Sequence, residues 1–114
     1  TFYCNYDIFK NIYQINVRAA RRALRSRFLV LLTLREGGTQ EHIDDETETL
    51  RQVISEQLRK NDVFSQYNVA QYSVILAAQN IEGCEKAMRR IMDKYCQRRK
   101  FDTVTLEYEI KQIK

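Results

Sequence analysis

Few residues in this chain have the types and spacing that chemistry needs. The clearest group is Arg59-Lys60-Asn61-Asp62, a guanidinium followed by a carboxylate three positions on. An arginine fork donates in one plane to paired acceptors, such as phosphate oxygens or the edge of a base. The segment also has a purely structural reading. Arg59 then complements the dipole at a helix C-terminus, and Asp62 caps the turn into a strand. A second group, Arg18, Arg21, Arg22 and Arg25, has the spacing i, i+3, i+4, i+7 and so lines one helical face. That patch suits nucleic-acid phosphates, a nucleotide or an acidic partner surface, and equally a solvated helix face. Tyr3, Tyr6, Phe9 and Tyr13 precede the patch and do not interleave with it. Tyr67 and Tyr72 could stack on a base or serve as cross-strand packing.

Catalytic and metal chemistry is poorly provided for. The sequence has no Gly-rich phosphate loop and no Gly-x-Ser-x-Gly. His42 is the single histidine and no Cys-x-x-Cys occurs, which argues against structural zinc; no metal or cofactor is expected. Cys84 and Cys96 fall on one helix, about 18 Å apart at the α-helical rise, and cannot pair there. Reduced thiols in a cytoplasmic protein are the expectation for Cys4, Cys84 and Cys96. Cys84 lies on an apolar stripe and reads as a core thiol.

The elements that must position these residues follow from periodicity. Ile8, Ile12, Ile15, Ala19 and Ala23 predict a helix over 7–25, with Asp7 as its cap. Phe28 to Leu34 reads as a buried strand, and 36–47, with Gly37, Gly38 and a run of acids, as a flexible loop. Leu50, Val53, Ile54 and Leu58 predict a helix at about 46–60. Val63–Tyr67 and Gln71–Ala77 form a hairpin turning near Asn68. Asn80 caps a long helix whose inner face carries Cys84, Met88, Ile91 and Tyr95. Val104, Leu106, Tyr108 and Ile110 alternate with polar residues in a last strand. The order is a helix, then β-α-β-β-α-β. An α+β, ferredoxin-like fold follows: a four-stranded antiparallel sheet with two helices on one face.

The stretch Leu58 to Ala77 resembles the signature of the GGDEF family, the diguanylate cyclase domains. In that family a helix ends in Arg-x-x-Asp, a strand follows, and a Gly-Gly-Asp/Glu-Glu-Phe hairpin turn forms the active site. Here Asp62 is followed by five residues and then by Asn68-Val69-Ala70-Gln71-Tyr72 as the turn. The family's glycines are replaced by Asn68 and Val69, its metal-holding acid by Ala70, and its glutamate by Gln71. The second metal carboxylate would fall near Thr33 to Arg35, where no acid is found. Phosphoryl transfer relies on Mg²⁺ held by such carboxylates, so a degenerate, non-catalytic domain is the expectation and an active cyclase is not. Arg59 and Asp62 match the family's inhibitory site. The resemblance implies that this pair could grip cyclic di-GMP, the arginine on the guanine edge and phosphate and the aspartate on the base N–H groups.

A narrower likeness comes from Phe2 to Tyr13 joined to Arg18-Ala19-Ala20-Arg21-Arg22. It resembles the C-terminal region of Firmicutes transcriptional regulators that carry a winged-helix DNA-binding domain and a bacterial transcriptional activator domain. A degenerate GGDEF-like module follows the activator domain there. This implies a regulatory, signal-sensing or dimerisation role, with residues 1–27 as a helix leading into a domain at 28–114. The implied partners are other domains of the same regulator, a second copy of the chain, and cyclic di-GMP. The chain itself is not expected to touch DNA or a membrane, although a nucleic-acid-binding module using this arginine patch and a second one, Arg89, Arg90, Lys94, Arg98, Arg99 and Lys100, stays open.

Composition agrees with one globular domain. The chain has 114 residues, 44% hydrophobic and 30% charged, with a net charge of +4. Apolar runs such as Phe28 to Leu32, which none exceeds in length, are far short of a membrane helix. A first residue other than Met suggests a piece of a multidomain protein.

Overall fold

Phe28, Val30, Leu32 and Leu34 alternate with less buried neighbours and make a central strand that one face of the molecule covers completely. The computed structural model describes residues 1–20 and 26–113. In chain order its elements are β1 (Phe2–Tyr3), α1 (Tyr6–Ala19), β2 (Ser26–Glu36), α2 (Ile43–Gln57), β3 (Val63–Asn68), β4 (Gln71–Ala78), α3 (Ile81–Arg98) and β5 (Val104–Ile113). Among the described residues they form one five-stranded sheet in the order β1-β3-β4-β2-β5.

The α+β fold expected from periodicity is present: β3, β4, β2 and β5 are all antiparallel neighbours. To them is added a strand that the periodicity did not reveal. β1 pairs parallel with β3, Phe2 opposite Val63 and Tyr3 opposite Phe64. Two residues are too few to show an alternating pattern, so only the tertiary pairing defines this strand.

Side-chain alternation divides the sheet between two cores. Tyr72, Val74, Leu76 and Ala78 point to one side, where they meet the apolar stripes of α2 and α3. α3 contributes Cys84, Met88, Ile91 and Tyr95. Full burial of each such side chain stabilises by roughly 1.5–3 kcal/mol. Ile75, Leu29 and Val63 point to the other side, where α1 covers them with Phe9, Ile12 and Tyr13.

Helix boundaries differ from expectation for local reasons. α1 is capped by Asn5, whose Oδ1 accepts from the Ile8 amide at 2.9 Å, and not by Asp7. The predicted extension of this helix over 21–25 lies outside the described residues. α2 begins at Ile43, inside the expected loop, and ends at Gln57. Its start follows His42, which supplies no side-chain cap, so the usual sequence signal is missing. The connecting loop is accordingly only 37–42, and Gly38 takes φ +77°, a conformation that favours glycine. Asn80 caps α3 as expected, accepting from the Gly83 amide at 2.9 Å.

A carboxyl group sits in the main core. Glu46 on α2 is fully buried, and its carboxyl oxygens accept from the Tyr95 hydroxyl at 2.5 Å and the Lys100 amide at 3.0 Å. It ties α2 to the far end of α3.

Candidate functional site

The turn between α2 and β3 carries the Arg59–Asp62 pair. Its geometry follows from the need to satisfy the backbone at a helix end. Asp62 is 6% exposed, and its Oδ2 accepts from the Arg59 amide at 2.8 Å. The Asp62 amide donates to the Arg59 carbonyl at 3.1 Å, and the Asp62 carbonyl accepts from Phe2 at 2.9 Å. Thr1 Oγ1 lies 3.1 Å from the carbonyls of both Ser55 and Leu58, where α2 ends. Asp62 thus caps the turn, while the Arg59 side chain stays exposed.

Two cavities open on opposite sides of this turn and share Arg59, Asp62, Leu76 and Ala77. One, of about 280 Å³, lies toward α3 and includes Asn80, Gly83 and Arg90. The other, of about 480 Å³, lies beneath α1 and includes Asn16, Arg27, Lys60 and Asn61. Among the described lining residues Asp62 is the sole acid of either, so cations outnumber acids in both. Such surroundings favour an anion.

The structural and ligand roles of this pair separate by mutation. Asp62→Ala is expected to cost about 1–2 kcal/mol of stability through loss of the cap. Arg59→Ala is expected to stay within about 0.5 kcal/mol, as for an exposed side chain. Urea unfolding of the two variants checks this, and an Asp62→Ala domain as stable as wild type would refute the capping role.

The hairpin residues Asn68 to Tyr72 are held by a continuous set of hydrogen bonds. Asn68 Oδ1 accepts from the Ala70 amide at 3.0 Å, and Asn68 Nδ2 donates to Gln71 Oε1 at 2.5 Å. Gln71 Nε2 then donates to Thr33 Oγ1 at 2.9 Å, joining the hairpin to β2. Thr47 on α2 holds the turn from behind, its Oγ1 donating to the Val69 carbonyl at 2.6 Å. Tyr72 is not available for stacking on a base: it is buried, and its hydroxyl donates to the Thr47 carbonyl at 3.1 Å. Tyr67 is exposed and stacks on Tyr6.

Beside the hairpin is an open cavity of about 810 Å³ whose lining includes Thr33, Arg35, Glu36, Gln71 and Thr103. Glu36 is the single acid among its described lining residues. That carboxyl group is already engaged by the His42 amide at 3.1 Å, His42 Nδ1 at 2.5 Å and Thr103 Oγ1 at 2.8 Å. Burial pushes the Glu36 pKa up, but these hydrogen bonds outweigh it and hold the group below the ordinary carboxylate value. His42 in turn stacks on Phe101 at 3.7 Å. Sequence reasoning missed this cluster because its members come from three separate segments. Arg35 pairs with Glu107 at 2.7 Å. The Mg²⁺ that the fold family implies needs free carboxylate oxygens. A paired threonine and glutamine beside one committed glutamate do not fit it.

The arginine patch is only partly described. Arg18 is exposed in the last turn of α1, and Arg21, Arg22 and Arg25 lie outside the described residues. Cys84 is buried as expected, and the described cysteines form no disulfide. No helix among the described residues is long and apolar enough to cross a membrane.

No family model matches this sequence, and no curated protein does. Solved structures do match. The GGDEF domain of FimX from Pseudomonas aeruginosa superposes with a TM-score of 0.76 at 14% identity, covering 96% of this chain and 74% of that one. A DGC protein from Thermotoga maritima gives 0.78 at 10% identity, covering 98% and 81%. The GGDEF domain of DgcB from Caulobacter crescentus, in complex with c-di-GMP, gives 0.77 at 12% identity, covering 97% and 73%. At these identities the likeness establishes the GGDEF fold. It carries the agreement across nearly the whole of this chain, N-terminal helix included.

Proposed function

We propose that this chain is a non-catalytic regulatory domain built on the GGDEF fold, serving a cytoplasmic bacterial transcriptional regulator as a signal-receiving or dimerisation module. The observation that carries the loss of catalysis is the Gln71–Thr33 hydrogen bond at the mouth of the hairpin. Ala70 and the segment around Thr33 stand where the resemblance puts the metal carboxylates, and Gln71, in place of the family's glutamate, is bonded to Thr33. GTP with Mg²⁺ is expected to give no cyclic di-GMP above a protein-free control, and turnover would sink this reading. The winged-helix and activator-domain context rests on the phrase Phe2 to Tyr13.

A second reading, a receptor for cyclic di-GMP, is favoured by the two cavities that share Arg59 and Asp62. The DgcB domain, whose fold this chain shares, was solved in complex with that molecule. Here the exposed Arg59 guanidinium supplies the donors, while Asp62 Oδ2 is already used by the Arg59 amide. Calorimetric titration of cyclic di-GMP and GTP into wild type and Arg59→Ala decides between the readings. Micromolar binding of cyclic di-GMP lost in Arg59→Ala makes the domain a receptor. No heat with either nucleotide leaves Arg59 and Asp62 as helix-end structure and the domain as an interaction module.

A further inference from the structure

Between α1 and the second face of the sheet lies a cavity of about 350 Å³, apart from both sites described above. This is within the range of small-molecule sites, roughly 300–1,000 Å³. Tyr6, Phe9 and Tyr13 of α1, Tyr67 of β3, and Leu29 and Leu31 of β2 form most of its lining. Three of the rings are nearly parallel. Tyr6 stacks on Tyr67 with centroids 5.0 Å apart and planes 8° from parallel, and on Phe9 at 6.0 Å and 16°. A flat aromatic ring packs against such walls with more contact than an alkyl chain does.

Two further observations narrow the occupant. Ser73 lines the cavity, and directly opposite it on β3 is Ser65, whose buried hydroxyl has no hydrogen-bond partner. Cross-strand partners share a face, so two serine hydroxyls stand together on this side of the sheet. An orphaned buried hydroxyl in an otherwise apolar setting calls for a polar partner. Among the described residues of the lining Lys10 is the one charged side chain, and none is an acid. Among the described residues the Lys10 ammonium is engaged by exposed Asp7, at 3.5 Å, and by the Tyr6 ring, at 5.5 Å. An exposed pair of that kind is weak and readily exchanged.

We propose that this cavity binds a small aromatic carboxylic acid of one or two rings bearing a hydroxyl or amino substituent. The ring packs against the tyrosine walls, the carboxylate meets Lys10, and the substituent reaches Ser73, the cross-strand neighbour of Ser65. The site is independent of Arg59 and of the regulatory reading above, and either proposal can fail alone.

The test uses hydroxynaphthoate as probe, with NMR of the whole chain reporting saturable shifts of the tyrosine rings. Cyclohexanecarboxylate controls for non-specific attraction of anions to a basic protein. Saturable binding of hydroxynaphthoate is expected, with the alicyclic acid weaker by roughly ten-fold or more. Lys10→Met and Tyr67→Ala are each expected to weaken it roughly ten-fold, and Arg59→Ala to leave it unchanged. Both side chains are substantially exposed, so neither change threatens the fold. No saturable shift, equal binding of the alicyclic acid, indifference to Lys10→Met, or loss in Arg59→Ala would each overturn the proposal.

Discussion

Replacing Glu46 with alanine is expected to destabilise the domain by about 3–5 kcal/mol, combining a core cavity with two donors left unpaired. Glu46 is fully buried, and both the Tyr95 hydroxyl and the Lys100 amide depend on its oxygens. Glu46→Gln keeps the shape and one good acceptor, so its cost should fall to about 1–3 kcal/mol. Adding Tyr95→Phe to Glu46→Ala removes one orphaned donor, and the double variant should lose less than the sum of the singles. Urea midpoints for wild type, the three single variants and the double variant test the set. A loss below about 1 kcal/mol for Glu46→Ala would mean that water reaches Tyr95 and Lys100 and replaces the carboxyl group.

Alkaline pH is expected to unfold this domain more steeply than its composition suggests. Burial pushes the Cys84 thiol up to about 11, with Glu85 and Asp62 adding to the shift. Burial raises Tyr72 as well, and burial together with Glu46 raises Tyr95. The sign follows from linkage: these groups stay protonated in the folded state while the unfolded chain loses its protons first. The stabilisation is therefore whole below pH 9, where the unfolded thiol begins to ionise from its ordinary value of 9.0. It shrinks further above 10.0, the ordinary tyrosine value. With two to three protons released on unfolding, the slope approaches about 3–4 kcal/mol per pH unit near its steepest. Urea midpoints followed from neutral to strongly alkaline pH measure it, and Tyr95→Phe should flatten the curve by about one proton. Stability that stays level past the tyrosine range would show that these groups reach water in the folded state.

Much of the fold was legible in the sequence because its strands and helices bury one face each. β5 shows this best: Val104 and Leu106 face the core while Thr105 and Glu107 face water. The hairpin at Asn68 and the cap at Asn80 carried direct local signals, and both are found. The features that escaped were those made by partners distant in sequence. β1 exists because Val63 and Phe64 accept it, and α2 starts at Ile43 without a capping side chain. The site was legible in outline. The Arg59-x-x-Asp62 spacing marked the turn, but that the Asp62 oxygen is used by the Arg59 amide depends on how the backbone curls there. The aromatic cavity under α1 left only a run of tyrosines and phenylalanines near the start of the chain, with nothing to say that Tyr67 and Ser73 would join them.

The short parallel strand has a mechanical meaning. Tension applied to the chain at Phe2 would run along β1 and load its hydrogen bonds to Asp62 and Phe64 in shear. The first of these ends on the residue whose side chain shapes the Arg59 turn. Force entering through this strand therefore reaches the Arg59 turn and Phe64 of the main core together. With two residue pairs joining it to β3, β1 would give way at a small load and leave the rest of the sheet intact. In that respect it is a fuse wired in series with the turn.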